Sequence, residues 1–257
     1  VTLYSKIYGQ GNPIKLIVLH GLFGMGDNWA SLAREWSDNQ SAEVHLVDMP
    51  NHGRSPKSEE FSYESMAAEV FLYMEKKGLL PAILLGHSMG GKAAMFLSTL
   101  RPEAVDKLIV VDIAPRYYPV HHTYIIDALK SLNLATSSRS DLEQQLLKSL
   151  PYPDIVSFLL KSLHRKSDGG FEFRFNLDVI AKKIEEVGKA LPDYAQFHNP
   201  TLFIKGEKSD YIQSSDSEII KKHFPASRIE SIPNAGHWVH AEQPEAVYNL
   251  VANFIVE

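Results

Sequence analysis

The chain has 257 residues, 44% of them hydrophobic and 22% charged, with a net charge of -5 and no cysteine. That length suits one large α/β domain with room for an insertion, and an acidic balance with scattered Lys and Arg leaves no basic surface for nucleic acid. Without cysteine there is no disulfide, no thiolate nucleophile and no Cys-ligated metal; without a basic-then-apolar leader in residues 1–15, or a ~18-residue apolar run, a soluble cytoplasmic protein with no membrane span is expected.

Residues 16–19 (LIVL) form the first short, continuous apolar run, the mark of a parallel strand covered on both faces. His20-Gly21-Leu22-Phe23-Gly24 follows directly. A glycine-rich turn after a strand can present a backbone N–H to a developing oxyanion, and Leu22 is the candidate donor. His20 and Phe23 are candidate substrate contacts. Residues 28–37 carry helical spacing, and 44–47 (VHLV) read as the next strand. The turn Asp48-Met49-Pro50-Asn51-His52-Gly53-Arg54-Ser55 is assigned to structure, with Arg54 expected to pair with backbone or a carboxylate.

After a helix over residues 63–77 comes a strand at 82–85 (AILL), then Gly86-His87-Ser88-Met89-Gly90, then a helix over 91–100. A G-x-S-x-G between strand and helix forces its serine into a sharp turn, with glycines relieving the crowding. The hydroxyl then stands at a helix N-terminus, where negative charge is favoured. Ser88 is therefore the candidate nucleophile, and Met89 supplies the second oxyanion N–H. His87, beside it, is a candidate substrate contact, with its ring expected to point away from the nucleophile.

The strand at 108–111 (LIVV) ends in Asp112. From 116 to 199 the rhythm of strand and helix breaks, and helices are expected at 124–132, 141–150 and 155–164, the second capped by Ser140. This segment reads as a helical cap inserted into a core of residues 1–115 and 200–257. Its aromatics Tyr117, Tyr118, Tyr124, Phe158, Phe171, Phe173 and Phe175 are expected to wall an apolar pocket. His121 and His122 are adjacent there, with no carboxylate or i, i+4 partner that would suggest a metal site.

Strands resume at 202–204 and 227–232, and helices at 216–224 and 244–254. A serine needs a base. His237, in Asn234-Ala235-Gly236-His237-Trp238 between the last strand and the last helix, is the best of eleven histidines. His240 is its local rival, and Trp238 a candidate substrate contact. The orienting acid is Asp112 or Asp210. A carboxylate at the end of an apolar strand needs a partner to justify its burial, whereas Asp210 lies in a polar loop, so Asp112 is favoured. Glu207, in the same loop, is the next alternative.

Taken together, the motifs HGLFG, DMPNHGRS, GHSMGG, VDIAP and AGHWVH resemble the α/β-hydrolase superfamily, with its mostly parallel, doubly wound sheet. More narrowly they are similar to the YbfF-type bacterial esterases and their mitochondrial abhydrolase-domain relatives, over essentially the whole chain. The resemblance implies an esterase acting on short acyl esters or acyl thioesters through a Ser-His-Asp triad and acyl-enzyme, without a cofactor. It also implies that the acid can come from the family's sixth strand, onto which Asp112 maps. Many superfamily members place it three residues after the glycine ending the seventh strand, which here is Ser209, with Asp210 one later. Two other readings share these residues: a carbon–carbon bond hydrolase or perhydrolase using the same triad, and a non-catalytic ligand-binding protein on the same fold.

Overall fold

The computed structural model describes residues 2–135, 138–167 and 169–257. Its elements run β1 (Ser5–Tyr8), β2 (Ile14–Leu19), α1 (Ala30–Gln40), β3 (Ala42–Val47), α2 (Tyr63–Lys77), β4 (Ala82–His87), α3 (Met89–Leu100) and β5 (Val105–Val111). There follow α4 (Thr123–Lys130), α5 (Arg139–Ser149), α6 (Pro153–Lys161), β6 (Leu163–Arg165), β7 (Phe171–Phe173) and α7 (Leu177–Lys182). The chain closes with β8 (Thr201–Gly206), α8 (Ser217–His223), β9 (Ser227–Ile232), the short α9 (Val239–Glu242) and α10 (Pro244–Val256).

Seven strands form one sheet in the order β1-β3-β2-β4-β5-β8-β9. All neighbours are parallel except β1, which pairs antiparallel with β3. The apolar runs are apolar because both faces are covered. Ile17, Leu19, Leu84, Leu108 and Val110 join one core with α2 and α3; Leu16, Val18, Leu85, Ile109 and Val111 join the other with α1 and α10. Neighbouring side chains on a strand point to opposite faces, so a strand with two covered faces has no polar positions to alternate with.

The strand order places the site. From β2 the chain winds outward to β3, then returns to the far side of β2 as β4 and continues outward through β5, β8 and β9. The order therefore reverses between β2 and β4. In such a sheet the loops leaving the carboxyl ends of the two strands at the reversal diverge and leave a crevice. These are the loops that carry His20–Gly24 and Ser88.

Residues 116–199 lie between β5 and β8 and are not wholly helical: β6 and β7 form an antiparallel two-stranded ribbon, so α6 stops at Lys161 rather than at His164. The helix cap expected at Ser140 falls instead on Ser138, whose hydroxyl accepts from the Asp141 N–H. Lys92, on α3 and wholly buried, joins the two ends of this segment to the core. Its ammonium donates to the carbonyls of Arg116, at 2.6 Å, and Lys189, at 2.5 Å. Burial, with the Arg116 charge adding to it, lowers its pKa to about 7.

Candidate active site

Ser88 occupies the turn between β4 and α3 with φ of 52° and ψ of -118°. A positive φ is costly for a residue with a side chain, and the turn holds it by packing that only glycine permits. A Cβ on Gly86 would run into the Gly90 carbonyl, and one on Gly90 into the carbonyls of Leu19 and His20. The Ser88 N–H donates to the Val111 carbonyl at 3.0 Å, tying the turn to the end of β5. Met89 opens α3, so its N–H is among the first-turn donors that have no intrahelical acceptor.

The Ser88 hydroxyl lies 3.1 Å from His237 Nε2, and His237 Nδ1 lies 2.8 Å from Asp112 Oδ2. Asp112 is fully buried, just past β5, with φ of 53°. A buried carboxylate must have its lone pairs taken up. Here Oδ1 accepts from the Gly206 N–H at 3.1 Å, and Oδ2 accepts from the Ser209 hydroxyl as well as from His237. With the carboxylate on Nδ1, the Nδ1–H tautomer is favoured and Nε2 faces the serine as acceptor. Asp210 is exposed, and its backbone carbonyl, 3.4 Å from Arg116 Nη2, is what engages the rest of the protein.

Two further groups hold the imidazole. The Tyr211 ring stacks on His237 at 3.9 Å, 19° from parallel, and the Tyr118 hydroxyl donates to the Tyr211 carbonyl. His87 Nε2 donates to the His237 carbonyl at 2.9 Å. His87 thus faces the site rather than away from it. Burial, reinforced by His237 and His240, lowers its pKa well below the ordinary histidine value. His240 stacks on Trp29 at 4.2 Å, and burial pushes its pKa down to about 3, so it is neutral and packed.

The serine lies where two cavities meet. The larger, about 280 Å³, is lined by His237, Trp238, His240 and Trp29 from the core, and by Tyr124, Ile125, Ile155 and Phe158 from the 116–199 segment. The smaller, about 20 Å³, is lined by Met89, Ile113, Tyr63, Tyr118 and Val187. Leu22, Ser88, His121, His122 and Tyr211 border both. His20, Phe23, His87 and Trp238 all line the larger one. His20 is nevertheless committed elsewhere, with Nδ1 2.8 Å from the Gly21 carbonyl and Nε2 accepting from the Met49 N–H at 3.0 Å.

Of the aromatics expected to wall a pocket, Tyr124, Phe158 and Tyr118 do so. Phe171, Phe173 and Phe175 instead are buried in the core, Phe175 packing between Phe173 and Phe23 at ring distances of 4.8 and 5.1 Å, and Tyr117 is 54% exposed. Arg54 pairs differently from expectation: its guanidinium donates to the Tyr4 hydroxyl, while its backbone N–H takes the Asp48 carboxylate. Sequence reasoning did not single out Tyr211. It marked Ser209 only as the place where an acid was missing, although that position was itself the signal.

The sequence profile described as the Alpha/beta hydrolase family matches residues 16–250. The chain is 36% identical over 259 residues to the sn-1-specific diacylglycerol lipase ABHD11 of Mus musculus, a match spanning 98% of this chain and 84% of that protein. It is 34% identical over 253 residues to Esterase YbfF of Escherichia coli, spanning 96% of this chain and 94% of that one. Among solved structures, a marine microorganism esterase superposes with a TM-score of 0.94 at 40% identity, covering 99% of both chains.

Proposed function

The chain belongs to the alpha/beta hydrolase family, and from that premise we propose that it is a serine esterase cleaving small carboxylic esters or acyl thioesters through an acyl-enzyme. The observation that carries this reading is the unbroken line of hydrogen bonds from Ser88 through His237 to Asp112 at the floor of a cavity. The homologues named as esterases and lipases support it.

In this mechanism Ser88 Oγ attacks the acyl carbon while His237 Nε2 takes its proton, and the buried Asp112 carboxylate stabilises the resulting imidazolium. The carbonyl oxygen becomes an oxyanion held by the Leu22 and Met89 N–H groups, one of which is typically worth ~2.7–4 kcal/mol of transition-state stabilisation. His237 then protonates the leaving alcohol or thiol. Water, deprotonated by the same imidazole, hydrolyses the acyl-enzyme.

The two cavities divide the substrate. A leaving group must lie beside His237, which lines only the larger cavity, whereas Met89 lines only the smaller. The acyl group therefore sits in the small chamber and the alcohol or thiol in the large one, under the 116–199 segment acting as a cap. Space of about 20 Å³ is little more than one water-sized probe needs, so acetyl-sized acyl groups fit best. His20, Phe23, His87 and Trp238 border the leaving group. Turnover of a panel of simple esters, with none of a vinylogous diketone, tests the reading against carbon–carbon bond hydrolysis.

A further inference from the structure

Phe23 is the residue after the proposed oxyanion donor Leu22, and it is held in the left-handed region with φ of 61°. For a residue with a side chain such a conformation persists only when the surroundings enforce it. Phe23 is gripped at both ends. Its N–H donates to His52 Nε2 at 3.3 Å, and its carbonyl accepts from the Ser162 hydroxyl at 2.7 Å. His52 Nδ1 lies 2.9 Å from the Pro50 carbonyl, which fixes the proton on Nδ1 and leaves Nε2 as the acceptor. Burial lowers the His52 pKa to about 3, with neighbouring His20 adding to the effect, so the ring is neutral near neutral pH and Nε2 is free to accept. Ser162 is itself buried and caps α6, in the segment between β5 and β8.

The backbone carries that grip to Leu22. The Leu22 N–H belongs to the same planar peptide as the Gly21 carbonyl, and in a trans peptide the two point in opposite directions. The Gly21 carbonyl accepts from the Gly24 N–H at 3.0 Å, closing a tight turn with Leu22 and Phe23 at its centre. If Phe23 relaxes toward a right-handed φ, the turn opens and the Leu22 N–H swings with it.

We propose that Ser162 and His52 are positioning residues for the oxyanion hole, clamping Phe23 so that the seating of the 116–199 segment sets the aim of the Leu22 N–H. The inference rests on the serine-esterase reading. It makes one hydroxyl from the inserted segment a requirement for full catalysis without contact with substrate.

The test compares a short-chain ester substrate with two inhibitors. A trifluoromethyl ketone adds to Ser88: the serine oxygen bonds to the carbonyl carbon, its proton passes to His237, and the carbonyl electrons become an oxyanion. The corresponding carbinol fills the same cavity with no oxyanion. In Ser162→Ala, kcat should fall about 10-fold with KM within about twofold, a fraction of the 10²–10³ lost with a whole donor. The ketone should bind about 10-fold more weakly and the carbinol unchanged. Ser162→Thr, which keeps the hydroxyl, should restore both values, and His52→Phe, which keeps a ring but no acceptor, should repeat the loss. Normal kcat and ketone affinity in Ser162→Ala and His52→Phe would overturn the inference, as would equal weakening of ketone and carbinol, the signature of a merely structural role. Wild-type protein that binds the ketone no better than the carbinol would instead sink the serine-esterase reading.

Discussion

The hydroxyl of Ser209, three residues past the glycine that ends β8, donates to the carboxylate of Asp112 at the end of β5. Two adjacent strand ends thus meet at one carboxylate. One brings the charge and the other a neutral donor that holds it.

Asp112→Asn should reduce kcat by roughly 10⁴ with little change in fold, because an amide favours the wrong imidazole tautomer and cannot stabilise the imidazolium. Asp210→Asn should keep most of its activity, since exposed charges contribute only ~0–1 kcal/mol. Ser209→Ala should fall between, at about 10-fold, as a hydrogen bond to a charged group is worth ~1.5–3 kcal/mol and Asp112 keeps its bond to Gly206. Steady-state kinetics of the three variants decide the order. Reversed results for Asp112 and Asp210 would move the acid to the loop after β8, and mild results for both would make Glu207 the residue to test.

Acid stability follows from the buried histidines. Burial lowers the pKa of His20 to about 4 and, with nearby histidines adding to it, those of His52, His122 and His240 to about 3. Below about pH 6.5 the unfolded chain takes up protons that the folded protein refuses, so this stability is complete above 6.5 and declines as pH falls toward 4. Each such histidine costs up to about 1.4 kcal/mol per pH unit. The Tm should drop by roughly 10 °C between pH 7 and 5.5. A Tm that stays level over that interval would mean that these rings accept protons in the folded state.

Chain-length preference should differ on the two sides of the ester. With p-nitrophenyl esters, kcat/KM should be highest for acetate and fall steadily as the acyl chain lengthens. With acetate esters of longer alcohols it should hold or rise, because the larger cavity receives them. Val187→Ala, which widens the small chamber, should shift the acyl optimum upward by one or two carbons. An optimum at long acyl chains in the unaltered protein would reverse the assignment of the chambers.

The central strands and the Ser88 turn were legible in the sequence because continuous apolar runs and G-x-S-x-G are local signals. β1 was missed because Ser5–Tyr8 is a short, half-exposed edge strand with no apolar run. β6 and β7, three residues each, were absorbed into expected helices and loops for the same reason. The contacts that organise the site are nonlocal: Ser209 meets Asp112 across 97 positions and Ser162 meets Phe23 across 139. No periodicity encodes a single hydroxyl reaching across the fold. Composition likewise marked Phe171, Phe173 and Phe175 as apolar, but could not tell a pocket wall from a core.

The most direct test is covalent labelling of the proposed nucleophile, Ser88. After reaction with a fluorophosphonate, peptide mass spectrometry should find one adduct, on Ser88, with loss of activity in proportion to labelling. Ser88→Ala should fold, resist labelling and show no turnover. An adduct on another serine, or full activity in Ser88→Ala, would contradict that assignment.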